Sequence, residues 1–280
     1  MRLATIRTAT GLRAVRIDEE AARAVETGDA DVRALLEHDD WAERAATAAG
    51  PVHDLADLDY APLVPAPEKI ICVGLNYRDH VQEMGNELPT HPTLFAKYAP
   101  ALIGARDDIV LPPESQAVDW EVELTIVIGR SVRRADAASA LDAIAGYTVM
   151  NDVSMRDYQN RTKQFLQGKT WESSTPLGPW LVTKDELPAP DGSGLAVSTV
   201  LDGETVQEST TDQLVFGTAE LVSYVSTVVT LNPGDVIATG TPGGVGHARK
   251  PPRYLTDGAT VVTTIAGVGE LRNACRAEKS

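Results

Sequence analysis

The stretch VDWEVELTIVIG, residues 118–129, constrains the fold more than any other part of this 280-residue chain. Most of its side chains are β-branched, aromatic or aliphatic, which predicts a buried β-strand. Asp119, Glu121 and Glu123 nevertheless occupy every second position. Because side chains alternate across a strand, all three acids are expected on one face. Neighbouring carboxylates on an apolar strand repel one another and lose hydration, so something must compensate them.

Two interpretations of this acidic face are open from the residues alone. Acids at every second position are ordinary on the solvated face of an edge strand. Alternatively, Glu121 and Glu123 share one hard cation, since oxygen ligands suit Mg²⁺, Mn²⁺ or Ca²⁺. Asp152 is a candidate third ligand, because TVMNDVSMRDYQ (148–159) runs apolar and then delivers this acid where the strand ends. The alternative for Asp152 is a helix N-cap.

His80 and Glu83 form a second motif, three residues apart in NYRDHVQEMG (76–85). On a helical turn this spacing brings the two side chains together. A carboxylate beside an imidazole fixes its tautomer and raises its basicity, as a water-activating pair requires. An ordinary surface pair would show the same spacing, so the motif alone does not decide between the two.

Lys169 and the glycine-rich stretch VIATGTPGGVG (236–246) are equally ambiguous. A lysine in a loop is usually solvated, and Lys169 matters only if it points at the metal. The glycine-rich stretch has neither a Walker nor a convincing dinucleotide pattern. Its amides and the Thr241 hydroxyl suit either a cluster of tight turns or the binding of a substrate carboxylate.

The patterns predict a mostly β fold of the α+β class with peripheral helices, because strands outnumber helices and do not alternate regularly with them. Helices are expected at 134–145 and 218–231, and one or two short surface helices within 19–49. A hairpin is expected at 1–17.

Three prolines between residues 62 and 67 mark an extended connector. We therefore expect a small N-terminal α+β domain at 1–66 and a larger domain at 67–280.

Charge and cysteine content exclude several classes of function. The formal net charge of −15 provides no basic footprint for nucleic acid or an anionic membrane. Two cysteines without a C-x-x-C pair argue against a structural zinc site or a disulfide scaffold. No apolar stretch reaches the length of a membrane span, so a cytoplasmic protein is expected.

Taken together and in this order, the motifs resemble the fumarylacetoacetate hydrolase superfamily over residues 69–275. The resemblance implies a mixed β-sandwich roll, usually a homodimer, with Mg²⁺ or Mn²⁺ held by Glu121, Glu123 and Asp152. The motifs that carry it are NYRDHVQEMG, DWEVELTIVIG, NDVSMRDYQ, GKTWESSTPLGPW, GDVIATGTPGGVG and GVGELRN.

The resemblance also implies roles for further residues. Lys169 matches a lysine that stabilises negative charge on the substrate, and His80 with Glu83 matches a pair that orients water on a lid segment. The positions that match substrate contacts are Arg156, Gln159 and Thr241. Asp119 has no role in the family pattern, and a supporting or a surface position are both open.

The reaction that the resemblance implies is hydrolysis of a C–C bond in a 2,4-diketo acid. Arg156, Arg161 and Lys163 suggest a second carboxylate on the substrate, which favours fumarylpyruvate and a place in aromatic catabolism. Oxaloacetate decarboxylation and isomerisation or decarboxylation of 2-hydroxyhepta-2,4-diene-1,7-dioate remain alternatives on the same platform. A non-catalytic metal-binding module is the rival from another class.

Overall fold

The computed structural model describes residues 1–83, 85 and 87–279, and in these residues strands predominate. The strands are Arg2–Thr8 (β1), Gly11–Asp18 (β2), Arg23–Glu26 (β3), Val52–Asp54 (β4), Ile70–Gly74 (β5), Thr93–Lys97 (β6), Leu102–Ile103 (β7), Ile109–Leu111 (β8), Val118–Asp119 (β9), Val122–Ile128 (β10), Ile144–Asn151 (β11), Ser154–Met155 (β12), Thr175–Thr183 (β13), Ala196–Leu201 (β14), Glu204–Thr210 (β15), Val236–Ala238 (β16), Thr260–Ile265 (β17) and Gly269–Ala277 (β18). The helices are Val32–Leu36 (α1), Trp41–Ala46 (α2), Arg78–Glu83 (α3), Ala137–Ala143 (α4), Arg156–Gln159 (α5), Leu166–Lys169 (α6) and Thr218–Val228 (α7).

Two large sheets build the molecule. The first runs in the order β4-β3-β2-β1-β13-β11-β10-β16-β5-β6, with β7 beside β13, and the second in the order β15-β14-β17-β18-β8. Both are mixed, because β16 and β5, β13 and β7, and β18 and β8 pair in parallel while the other pairs are antiparallel. The predicted mostly β fold with a mixed β-sandwich roll and peripheral helices is confirmed.

The main core lies between the two sheets. Leu124 and Ile126 of β10 pack in one buried cluster with Val197, Ile265 and Leu271 of the second sheet. The opposite face of β10 is buried as well, where Val127 joins a cluster that includes residues of α1. Burial on both faces explains why 122–128 is a nearly continuous apolar run.

The acidic strand of the sequence differs from the prediction in one respect. The chain breaks after β9, which pairs with β12, and resumes at β10, which pairs with β11 and β16. At the break, a carboxylate oxygen of Asp119 accepts a hydrogen bond of 2.9 Å from the amide of Trp120. Glu121 lies in this break and Glu123 lies inside β10.

The N-terminal region shares the first sheet. The hairpin predicted at 1–17 is β1 with β2, but 19–49 also holds the strand β3 before its two short helices. β1 pairs with β13 through Arg2 with Val182 and Leu3 with Leu181. The division of the chain at residue 66 stays a prediction.

The two longer helices lie where the periodicity placed them, with shorter bounds. Asp136 caps α4 by accepting a hydrogen bond from the amide of Ser139, and β11 follows directly. Leu221, Val222 and Val225 of α7 are buried. In the part of the chain that the structure describes, no helix is long and apolar enough to span a membrane.

Close packing of β11 on β13 gives a testable prediction. A Cβ atom added at Gly146 would lie 2.0 Å from the carbonyl oxygen of Val182. We expect Gly146→Ala to lower the free energy of unfolding by about 3 kcal/mol in urea titrations. Gly217→Ala is the matched control, because a Cβ there meets nothing within 4 Å. Equal stability of the two variants would contradict the role given to Gly146.

Candidate active site

Three carboxylates meet where two paired strands begin and end. β10 and β11 are antiparallel with Val122 opposite Asn151, so Glu121 and Glu123 come beside Asp152. One oxygen from each of the three carboxylates lies within 4.8 Å of the others. All three side chains are buried, which excludes the solvated edge-strand interpretation.

Two buried lysines contact this cluster. Lys169, at the end of α6, places Nζ 2.6 Å from Glu121 Oε2 and 2.8 Å from Asp152 Oδ2. Lys97, at the end of β6, donates to Asp152 Oδ1 at 2.6 Å. Lys169 is therefore not a solvated loop lysine. Lys97 was not predicted from the sequence. A charged residue in the apolar strand TLFAK is nevertheless the same kind of pattern as the acid within β10.

Arg156 and Asp119 support the cluster from its other side. Arg156 Nε donates to Asp119 Oδ2 at 2.8 Å, Nη2 forms an ion pair of 2.7 Å with Glu121 Oε1, and Nη1 donates to Gln159 Oε1 at 2.9 Å. Asp119 is fully buried, so it is not a surface residue, and it holds Arg156 beside the cluster. Much of the guanidinium that was expected to contact substrate is occupied by the protein's own carboxylates.

The balance of charge leaves one carboxylate without a cation. Four buried carboxylates, including Asp119, face the three cations Arg156, Lys97 and Lys169. Among the described residues, no basic group forms an ion pair with Glu123, whose Oε2 accepts one hydrogen bond of 2.8 Å from the amide of Gly240. Glu123 is therefore the member of the cluster that most needs an added positive charge.

The pKa values follow this imbalance. Burial raises the pKa of Glu121, but Lys169 and Arg156 outweigh burial there, so its pKa lies below the ordinary value. Lys169 and Lys97 do the same for Asp152. At Glu123, burial and the carboxylates of Asp152 and Glu121 raise the pKa well above its ordinary value. Repulsion is thus concentrated on Glu123.

This donor set fits a hard divalent cation. Carboxylate oxygens of Glu121, Glu123 and Asp152 converge from two adjacent chain segments. Glu123, which has no basic partner among the described residues, is one of these three. Oxygen-only ligands suit Mg²⁺ or Mn²⁺. Glu121, Glu123 and Asp152 are the residues that would hold the ion.

His80 and Glu83 form a contact on α3, and His80 lines the same cavity as Glu121 and Glu123. His80 Nδ1 lies 3.2 Å from Glu83 Oε2, and Glu83 also accepts from the amide of Gly244 at 3.2 Å. The hydrogen bond with His80 lowers the pKa of Glu83. His80 is buried, unlike an ordinary surface residue, and among the described residues its Nε2 has no hydrogen-bond partner. With Nδ1 held by the carboxylate, Nε2 is available for proton transfer.

The amides of the glycine-rich stretch bind the protein's own acids. Gly240 donates to Glu123, Gly244 to Glu83, and Gly246 to Asp119 at 2.7 Å. The stretch therefore fixes the carboxylates of the site, and these three amides are not free to hold a substrate carboxylate as the sequence suggested.

The hydroxyl of Thr241 remains available to donate a hydrogen bond to a ligand, and Gln207 sets the orientation of that hydroxyl. Gln207 Oε1 accepts from the amide of Val122 at 3.2 Å and from the Thr199 hydroxyl at 2.8 Å, so its Nε2 faces the other way as a donor. That nitrogen donates to Thr241 Oγ1 at 2.9 Å and to Pro242 O at 3.0 Å. Since Thr241 Oγ1 accepts this bond, its own proton is left to donate to a ligand. Nothing in the sequence distinguished Gln207 from other glutamines.

Part of this set lines one cavity of about 230 Å³, whereas Asp152, Lys97 and Glu83 are not among the residues of its wall. Arg161 and Lys163, which were expected near the second carboxylate of the substrate, do not line it. Arg161 instead lies over the ring of Tyr158, 3.4 Å from its centroid. The polar residues that line the cavity are His80, Glu121, Glu123, Arg156, Gln159, Asn160, Lys169, Thr241 and His247.

Comparison with known proteins identifies the family. The model of the fumarylacetoacetate (FAA) hydrolase C-terminal domain matches residues 69–276. A mitochondrial oxaloacetate tautomerase of Rattus norvegicus is 46% identical over 233 residues, covering 83% of this chain and 74% of that protein. The chain therefore belongs to the fumarylacetoacetate hydrolase family, as its motifs predicted.

Two solved structures share the fold over nearly the whole chain. A 5-carboxymethyl-2-hydroxymuconate delta-isomerase from Mycobacterium smegmatis is 35% identical with a TM-score of 0.83, covering 99% of this chain and 100% of that one. A maleylpyruvate hydrolase from Sphingobium sp. SYK-6, in complex with manganese(II) and pyruvate, is 28% identical with a TM-score of 0.80 and covers 100% of both chains. These relatives are enzymes, and they differ in the reaction they catalyse.

The unpaired position of Glu123 predicts opposite behaviour for two substitutions. In EDTA, we expect Glu123→Gln to leave the free energy of unfolding unchanged or to raise it, because it removes a carboxylate that has no basic partner in the described part of the chain. Glu121→Gln, the matched control, should lower it by about 3 kcal/mol, because Lys169 and Arg156 lose a buried partner.

Metal titration completes this test. Mn²⁺ at a hundredfold excess over its Kd should stabilise the wild type by about 2.7 kcal/mol in urea unfolding, and both variants should lose most of this gain. A Glu123→Gln protein as destabilised in EDTA as Glu121→Gln would contradict the charge balance described here.

Proposed function

We propose that this chain is a metal-dependent enzyme that interconverts the keto and enol forms of a small 2-oxo acid, with oxaloacetate as the candidate substrate. The observation that carries the proposal is a single cavity lined by both Lys169 and His80, whose Nε2 has no hydrogen-bond partner among the described residues. Enolisation needs a positive group at the oxygen that gains charge and a base at the carbon that loses a proton. The likeness to an oxaloacetate tautomerase supports this choice of substrate.

Each residue of the site has a separate role in this keto–enol interconversion. A divalent cation on the three carboxylates would supply Lewis-acid stabilisation of negative charge on the substrate oxygens. Thr241 donates its proton to the substrate carboxylate, and Lys169 donates to the 2-oxo oxygen. His80 Nε2 takes a proton from C3 while the C–H electron pair forms the C2–C3 double bond, and the same proton is then passed to the oxygen. Glu83 holds His80 in the tautomer that accepts at Nε2.

Lys169 remains a fixed charge through this cycle. Burial alone lowers its pKa, but the carboxylates of Asp152 and Glu121 outweigh burial and raise the pKa above the ordinary lysine value. The ammonium group therefore stabilises the enolate by hydrogen bonding and charge, and it does not need to give up a proton.

Hydrolysis of fumarylpyruvate to fumarate and pyruvate, in aromatic catabolism, is the second candidate. The His80–Glu83 contact favours it, because the same imidazole can take a proton from water that attacks the distal carbonyl. The likeness to a maleylpyruvate hydrolase points the same way. Both candidates begin from one enolate-stabilising site and differ in what His80 deprotonates.

A homodimeric assembly and a cytoplasmic location belong to this proposal as expectations from the sequence. The rat relative is mitochondrial, which makes the location worth testing directly by fractionation.

The test is ketonisation of enol-oxaloacetate by the Mg²⁺- or Mn²⁺-loaded protein, followed as loss of enol absorbance. We expect His80→Gln to lower kcat by about 10²–10⁴-fold, because the base is lost. His38→Gln is the matched control, since His38 pairs with Asp29 away from the cavity and should leave kcat unchanged.

Product analysis separates the candidates. Tautomerisation no faster than buffer, together with release of fumarate from fumarylpyruvate, would replace the first candidate by the hydrolase. Pyruvate and CO₂ from oxaloacetate would indicate a decarboxylase.

A further inference from the structure

His247 is a cavity residue that the reaction just described does not use. It lies in a short 3-10 turn, Gly246–Ala248, at the end of the glycine-rich stretch. It lines the same cavity as Lys169 and His80. Phe95, Phe165 and Val245 are part of the same wall, so an ionisable ring there needs a physical reason.

The position of His247 is fixed by two contacts. Its backbone amide donates to Asp119 Oδ2 at 2.9 Å, the same oxygen that accepts from Arg156 Nε. Its ring nitrogen Nδ1 lies 3.1 Å from the hydroxyl of Tyr254. Both the main chain and the ring are therefore held, and among the described residues Nε2 has no hydrogen-bond partner.

The other candidates for binding a distant carboxylate are engaged or lie elsewhere. Arg156 is shared between Asp119, Glu121 and Gln159. Arg161 lies over Tyr158 and is not in the cavity wall. His247 is thus the ionisable donor in the wall that neither the carboxylate cluster nor the His80–Glu83 contact occupies.

We propose that His247 is a specificity-determining residue whose Nε2 binds the second carboxylate of the substrate, so that the enzyme prefers 2-oxo dicarboxylates to monocarboxylates. This inference rests on the proposed function, because it assumes that the first carboxylate and the 2-oxo group lie at the metal end. Tyr254 acts as a positioning residue that holds the ring toward the cavity. A hydrogen bond to a carboxylate of this kind corresponds to about a ten- to hundredfold difference in affinity.

Binding of inert analogues tests the inference without relying on turnover. Malate and lactate are a matched pair that differ by one carboxylate on C3. Calorimetry with the Mg²⁺-loaded protein should show malate binding at least about tenfold more tightly than lactate. In His247→Leu this ratio should fall to near one while the Kd of lactate stays unchanged. Arg161→Leu, the matched control, should keep the ratio.

Kinetics add a second readout. For oxaloacetate, His247→Leu should raise KM about tenfold or more with kcat changed less than about threefold, and His247→Gln should restore part of the loss. Equal affinity of the wild type for malate and lactate, loss of both ligands in His247→Leu, or loss of the ratio in Arg161→Leu would each overturn the inference. Failure of oxaloacetate turnover with the malate preference intact would overturn the proposed reaction and leave the role of His247 standing.

Discussion

The electrostatic balance around Glu121, Glu123 and Asp152 is the constraint on which the rest of the structure depends. Buried carboxylates are costly unless each has a partner, and here the partners come from distant parts of the chain. Lys97 arrives on β6 and Lys169 on α6. One small group of charges therefore links the pairing of β10 with β11 to the positions of β6 and α6. Glu123, which lacks a basic partner among the described residues, is the position where an added cation would complete the charge balance.

The acidic positions of the site could be predicted because they sit in local patterns. Glu121 and Glu123 interrupt an apolar strand, and His80 with Glu83 has the spacing of one helical turn. These signals depend on neighbours in sequence. The structure groups Glu121 and Glu123 with Asp152 and places His80 against Glu83, and the roles of these residues stay predictions. The order of the motifs along the chain then carried the family assignment.

What could not be predicted depends on contacts between distant segments. Asp119 looked equivalent to the other two acids, but the break after β9 turns it toward Arg156 and the amides of Gly246 and His247. Gln207 comes from the second sheet and reaches both Val122 and Thr241. No local pattern reports such pairings. The same limit applies to the pairing of β1 with β13, which joins residues about 180 positions apart.

The way His247 is anchored has an evolutionary consequence. Its link to Asp119 runs through a backbone amide, which any residue other than proline would also supply. Mutation at this position can therefore exchange the side chain facing the ligand while the loop and the charged centre stay in place. Substrate range can drift on this scaffold one residue at a time, and relatives that share the carboxylates need not share a substrate.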